Sequence, residues 1–502
     1  MPFLLGIDLG TQSVKSAVLD DEGRVRSVAQ AEYPILTPRV GWAEQEPQAW
    51  WRAACQTTQE AIARAGVAAA EIAGVGLAGQ MHGTVCIDRE GLPVRPAIIW
   101  ADGRSGAEVA ELMAELGRER LARLTGNPLA TGFMAATACW LRRHEPETLD
   151  RTAALLLPKD YIRLRLTRHV GTDVTDAAST LLFDVAGRRW SPEMAQAAGV
   201  SLDLLPRVCE SHEICGTVTR HASRDTGIPL HARVVAGGGD QPVSAVGNGV
   251  VEPGTLLATI GTGGQLFTPL AQPSHDPELR THTFCHAVPG RWFIMGAMLS
   301  AGLCLRWLRD RVFGGLGLDY AAFSEAAAQT GPGAEGLVFL PYLLGERTPH
   351  MDPHARGVFF GLALRHERSH LVRAVMEGVA FALRDSLEIF RSIGISARQI
   401  IAAGGGAQSP VWQQILADVL GASLAPVQTA EPAACGAAIL AGWGTGVFPS
   451  LQEATARIAR VGRMVGPIAE NAARYDERYA FFRSLYPLLR EAFRRSSIGG
   501  PQ

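Results

Sequence analysis

Short apolar runs broken by polar turns open this chain. Residues 3–30, FLLGIDLGTQSVKSAVLDDEGRVRSVAQ, hold two apolar runs around the turn GTQS, and a second turn, DDEG, leads into another strand, so the pattern predicts a β-meander. From Glu44 the period changes. Trp51, Ala54, Thr58 and Ile62 recur at helical spacing behind Pro47, which suits a first helical position, so a helix with packed tryptophans is expected. A short strand over Ile72–Ala78 then delivers GQMHG, residues 79–83. RPAIIWADGR, 95–104, predicts a strand ending in Asp102 and Arg104. Residues 106–124 and 137–150 read as helices, and 155–167, LLLPKDYIRLRLT, as a strand, a proline-marked turn and a helix.

The pattern then repeats in outline. GTLLATIGTGGQLFT, 254–268, mirrors the opening meander, with Gly261 and Thr262 where Gly10 and Thr11 stand. QIIAAGGGA, 399–407, mirrors RVVAGGGD, 233–240. Two similar α/β lobes facing each other would bring both Gly-Thr turns and both triple-glycine loops to one cleft. The extra residues of the first lobe would shape an acceptor pocket. At the end of the chain, Tyr475, Tyr479, Phe482 and Tyr486 step at helical spacing and predict a docking helix.

Length and composition bound the answer. The 502 residues exceed what one core organises, so two domains are expected, and 47% hydrophobic against 19% charged residues suffices to fill both. With 47 basic and 49 acidic residues, no charge surplus points to nucleic acid or a membrane surface. Eight scattered cysteines without a CxxC pair, and an N-terminus that meets Asp8 early, read as a cytoplasmic protein with buried thiols. Lys15 and Lys159 are the only lysines, and neither lies in a GxxxxGK[ST] loop or a VAIK strand. Any phosphate must therefore be held by glycine backbone, hydroxyls, arginines and metal.

The candidate chemistry sits at strand ends. In AGGGDQP, 236–242, glycines let backbone N–H groups approach a ligand while Asp240 stands at the strand's exit; a solvated turn aspartate is the alternative. Asp8 precedes Gly10 and Thr11, a suitable place for a metal-bound phosphate or an ordinary hairpin tip. His82 is a ligand contact or a turn histidine, and Asp102 with Arg104 clamps a polyol or bridges internally. His282, Cys285 and His286 have zinc-like spacing without a further ligand, and read better as structural.

Together these stretches resemble the FGGY carbohydrate kinases, within the sugar kinase, Hsp70 and actin superfamily. GIDLGTQSVK is similar to its first phosphate motif, TIGTGG to its second, AAGGGA to its adenosine motif, and GVFFGLALRHERSHLVRAVME, 357–377, to the family's C-terminal signature. The resemblance implies two ribonuclease H-like α/β lobes with a central cleft, 1–247 and 248–502, and phosphoryl transfer from ATP with Mg²⁺ to a sugar. Asp240 would be the catalytic base. Asp8, Gly10, Thr11, Gln12, Gly261, Thr262, Gly404, Gly405, Gly406 and Ala407 would meet the nucleotide, with Asp8 and Asp240 reaching the metal through water. GQMHG, LLPKDYIRLRLT and FLPYLLGERTPH, 339–350, resemble the members acting on D-xylulose, so Met81, His82, Trp100, Asp102, Asp240 and Gln241 would line the sugar site. Another ketose or polyol is the alternative acceptor, and a homodimer is implied by resemblance alone. Thr137 stands where the family's signature carries lysine, and Gln241 where asparagine is common.

Overall fold

The computed structural model describes residues 1–497 apart from positions 315 and 397. Two mixed sheets organise it. The first runs, edge to edge, Ile214–Thr217, Arg233–Val235, Ile72–Gly79, Phe3–Leu9, Ser13–Leu19 and Val25–Glu32. The second runs His282–Cys285, Trp292–Met298, Gly264–Leu270, Thr255–Ile260, Gln399–Ala403 and Leu424–Pro426. In each, the opening strand pairs antiparallel with the second and parallel with a strand far along the chain. Two lobes of one topology result, as the repeated meander implies.

The glycine stretches do not correspond as their sequences suggest. Gln399–Ala403 pairs with the second sheet's opening strand, so its counterpart is Ile72–Gly79, which leads into GQMHG. AGGGDQP instead follows Arg233–Val235, the strand one place further out, whose counterpart is Leu424–Pro426. Glycines recur wherever backbone must approach a neighbour closely, so their composition carries no strand order. The inserted material lies accordingly between Ile72–Gly79 and Arg233–Val235, residues 80–232, against 404–423 between Gln399–Ala403 and Leu424–Pro426.

Smaller departures follow local chemistry. The expected helix over 137–150 is two, Met134–His144 and Pro146–Arg151, divided at the proline. Only Ala97–Ile98 of RPAIIWADGR is strand, pairing with Glu44–Gln45. The helices Pro47–Ala65 and Pro158–Thr167 begin at their prolines as expected. Helix Ala469–Ser497 docks through Tyr475, Tyr479, Phe482 and Tyr486, all buried.

The boundary expected at 247/248 separates the two sheets but not the packing. Helix Pro432–Thr445, from the second half, lies on the first sheet, and its alanines join Leu4, Ala17, Ala78 and Val235 in one core cluster. Side-chain alternation explains the seat. Phe3, Leu5, Ile7 and Leu9 face helix Pro47–Ala65, leaving Leu4, Gly6 and Asp8 on the opposite side. A Cβ on Gly6 would lie 1.8 Å from the Ala434 carbonyl oxygen, and one on Gly76 1.8 Å from that of Ala437. Only glycine lets this helix approach so closely. Among the described residues no helix is long and apolar enough to cross a membrane.

Candidate active site

The same alternation that seats the helix turns Asp8 toward its N-terminus. Lys15 is the cross-strand partner of Asp8, and its Nζ is 2.5 Å from Oε2 of Glu431, the N-cap residue of helix Pro432–Thr445. Asp240, the first residue of helix Asp240–Gly247, comes close enough to act on Asp8 electrostatically. Burial, then the Asp240 charge, lifts the Asp8 carboxyl to about 7 despite Lys15. Burial lifts Asp240 to about 6, while the backbone and side-chain amides of Gln241 hold it down. Three carboxylates around one lysine leave a negative surplus, and the buried Asp8 Oδ1 has no hydrogen-bond partner. That deficit of positive charge fits Mg²⁺, which binds through one or two carboxylates plus water and substrate phosphates.

Asp240 is held from behind. The Gly239 N–H donates to Thr175 Oγ1 at 2.8 Å, and Thr175 Oγ1 donates to Asp173 Oδ2 at 2.6 Å. Asp173 pairs with Lys159 at 2.9 Å, which also meets Asp160 at 2.6 Å and Asp176 at 3.2 Å, all fully buried. Burial opposes the Lys159 charge, but the three carboxylates overcome it and keep the ammonium protonated. The PKDYIRLRLT stretch thus acts as a rigid footing for the loop that ends in Asp240.

Of the residues expected at the sugar, Met81, His82, Trp100 and Asp102 come from the inserted region. Met81 packs on Gly239, where an added Cβ would meet its Cγ at 2.7 Å. His82 adopts a left-handed backbone, φ 74°, which a non-glycine residue takes only under constraint. Its Nδ1 lies 2.9 Å from the Ser179 carbonyl, and its ring stacks on Phe133 at 3.8 Å. A carbonyl only accepts, so Nδ1 carries the proton and Nε2 is left as an acceptor. Burial keeps the ring neutral, drawing its pKa down to about 3. Trp100 Nε1 donates to Thr11 Oγ1 at 2.9 Å, tying this side of the cleft to the first Gly-Thr turn. Asp102 departs from expectation: it is buried, and its carboxylate accepts from Arg104 and the Ala43 N–H. The pair bridges internally because both charges are sealed and need each other, so Asp102 positions the loop.

The second lobe supplies a cavity of about 240 Å³. Gly261, Thr262, Gly405 and Gly406, four of the residues expected to meet a nucleotide, line it. Gly404 shapes the loop from behind, with φ 87° and an added Cβ 2.6 Å from the Ile260 carbonyl oxygen. Ala407 corrects the expectation, being fully buried in the core with its carbonyl accepting from Gln413. Gln12 is exposed and lines a separate depression with Glu32, Tyr33, Pro34 and Ile35. Gly10 is held by its N–H to the Ser13 carbonyl at 3.0 Å.

Several residues of this site were not legible in the sequence. Gly302, Leu303, Arg306, Tyr320, Met376 and Trp412 are among the further residues lining the cavity. Trp412, whose Nε1 donates to the Met376 carbonyl at 3.1 Å, follows the glycine loop at helical spacing and offered the clearest signal. His282 and His286 are buried in the second lobe; burial keeps both neutral. Among the described residues no cluster of three His, Cys, Asp or Glu side chains has metal-ligand geometry.

This geometry has close relatives. The N-terminal domain of the FGGY family of carbohydrate kinases matches residues 3–247 and its C-terminal domain residues 256–445. A xylulose kinase of Escherichia coli (strain K12) is 39% identical over 488 residues, covering 97% of this chain and 99% of the relative. One of Bacillus subtilis (strain 168) is 34% identical over 486 residues, covering 97% of each. The crystal structure of a xylulose kinase from Rhodospirillum rubrum superposes with a TM-score of 0.91 at 32% identity, covering 98% of this chain and all of the other. With both family domains matched in order across the two lobes, this chain belongs to the FGGY family of carbohydrate kinases.

Proposed function

We propose that this kinase transfers the γ-phosphoryl group of ATP to the terminal hydroxyl of D-xylulose, forming D-xylulose 5-phosphate, with Asp240 as general base. The observation that carries the base assignment is the placement of Asp240. It is the first residue of a helix, anchored through Gly239 and Thr175, beside the Asp8 turn, with a pKa near 6 that lets it accept a proton at neutral pH. The sugar assignment rests on near full-length similarity to proteins named xylulose kinase.

Phosphoryl transfer needs an in-line oxygen nucleophile and neutralised charge on the transferred group. Asp240 takes the proton of the attacking hydroxyl. His82 Nε2 accepts from a sugar hydroxyl, while Met81, Trp100 and Gln241 bound the pocket. Thr11 from one lobe and Thr262 from the other turn backbone N–H and hydroxyl groups toward the phosphates, on turns that the Gly10 and Gly261 N–H groups close against the Ser13 and Gly263 carbonyls. Mg²⁺, held at Asp8 and Asp240 through water, would supply charge neutralisation on the phosphates. Lobe closure excludes water, itself a competing acceptor. A second reading, another ketose or a polyol as acceptor, draws on Gln241, whose amide reaches one methylene further than the asparagine common at that place.

The test is ADP release with D-xylulose, D-ribulose, L-xylulose, L-ribulose, glycerol and gluconate, for the native enzyme and Asp240→Asn. Stimulation by D-xylulose, lost on the order of 10³-fold in a variant that still binds sugar and ATP, is expected for an essential base. Near-native turnover by Asp240→Asn sinks the base assignment, and stimulation by another sugar moves the specificity there.

A further inference from the structure

The loop that follows Phe339 carries a charge for which the mechanism above has no use. Arg347 is fixed at its backbone: Glu346 and Asp352 exchange N–H···O bonds of 2.9 and 2.8 Å, and the Thr348 N–H donates to the Ala297 carbonyl at 3.0 Å. Glu346 Oε1 also accepts from the Arg347 N–H at 2.7 Å and the Leu299 N–H at 3.1 Å. The guanidinium, by contrast, makes no hydrogen bond or ion pair with any described residue. Its carbon lies 5.8 Å from the Trp100 ring centroid, across the cleft from its own lobe. Burial disfavours its charge, and Glu346 offsets this only at longer range. Its field also reaches His82 and His282. His282 Nδ1 is buried without a partner, and His82 Nε2 has no protein partner either. A guanidinium and two imidazoles, each with unfilled hydrogen-bonding capacity, therefore meet at the sugar wall. The His282 nitrogen is buried and costly to leave unpaired, while Arg347 and His82 are only partly buried, so a ligand in the cleft can reach them.

The acceptor's chemistry says what that ligand atom is. In a 2-ketopentose the C5 hydroxyl is the one that closes the five-membered hemiketal on C2. Phosphorylation at O5 therefore requires the open-chain form, which carries a free C2 carbonyl at the end away from the transferred group. We propose that Arg347 donates to this C2 carbonyl oxygen, selecting the open-chain ketose over the polyols that lack it. This rests on the ketose reading above. The second lobe thereby contributes to acceptor recognition as well as to nucleotide binding, and the sugar is gripped from both lobes.

The experiment compares Arg347→Met and Arg347→Lys with the native enzyme. It measures kcat/KM for D-xylulose and D-gluconate, and the inhibition constants of xylitol and D-arabinitol, the two polyols formed by reducing the D-xylulose carbonyl. Loss of a charged donor to the substrate is expected to lower kcat/KM for the ketose by about 10- to 100-fold in Arg347→Met, less in Arg347→Lys. The polyol inhibition constants should move by less than about 3-fold. The thermal midpoint and nucleotide affinity should hold. Equal losses on ketose and polyols, or an unaffected ketose, overturn the assignment. A loss confined to gluconate reassigns the guanidinium to a carboxylate and overturns it too. A native enzyme silent on every ketose refutes the functional reading itself, whereas an active native enzyme with an indifferent variant refutes only Arg347. If Arg347→Met fails to fold, Arg347→Lys carries the same comparison.

Discussion

Replacing Asp8 by asparagine should make the protein more stable and less active, and the gain in stability should depend on pH. The carboxyl stands at about 7 in the fold against 3.8 for an ordinary aspartate. The folded state therefore binds its proton more tightly than the unfolded chain does. That contribution is fully present below about pH 4 and is lost as pH rises through about 7. At pH 8 the native protein must hold an ionised, half-buried carboxylate near Asp240, and at about 1.4 kcal/mol per pH unit the interval amounts to roughly 4 kcal/mol. Asparagine leaves Lys15 and Glu431 paired and keeps the volume, but its amide needs new partners, so about 2–4 kcal/mol is expected. Urea unfolding without nucleotide or metal, at pH 8 and pH 4.5, measures it. The variant should exceed the native protein at pH 8 and approach it at pH 4.5, while kcat falls if Asp8 is the metal's carboxylate as proposed. A gain equal at both pH values, or a less stable variant at pH 8, refutes the electrostatic account.

Other outcomes follow from the same structure. Gly76→Ala puts a Cβ 1.8 Å from the Ala437 carbonyl oxygen and should cost about 3 kcal/mol or more by thermal unfolding, whereas Gly106→Ala, with nothing within 4 Å, should be nearly neutral. Lys159→Met leaves Asp160, Asp173 and Asp176 sealed with only Arg163 as counter-charge, which should cost on the order of 3–5 kcal/mol and show as loss of folded protein on expression. As the proposed base Asp240 must be ionised, and with its carboxyl raised to about 6, kcat/KM should fall as pH drops through about 6. His82 stays neutral down to about 3, so His82→Asn should weaken sugar affinity and leave that acid limb in place.

Much of the site was legible because its chemistry constrains composition locally. A carboxylate before a Gly-Thr turn, a glycine run ending in Asp240, and a histidine at a strand end are each set by what a short stretch of backbone must do. The repeated meander likewise announced two lobes of one fold. What escaped was everything fixed by strand order or by a neighbour distant in the chain. QIIAAGGGA and RVVAGGGD look alike but leave strands at different places in their sheets. For Asp102 and Arg104 the sequence left a polyol clamp and an internal bridge open, and burial against Glu44, some sixty positions earlier, decided for the bridge.

By itself, then, the sequence determined most strands and helices, the two-lobe plan and the candidate carboxylates Asp8 and Asp240, since these depend on period and local turn geometry. The tertiary structure alone decided that helix Pro432–Thr445 crosses to the first sheet and brings Glu431 to Lys15. It alone decided that Lys159 underpins the Asp240 loop, and that Arg347 reaches Trp100 from the other lobe. Burial and electrostatic partnership act through space between residues hundreds of positions apart. No local pattern records which side chains will share a cleft and which charges will be left without a partner.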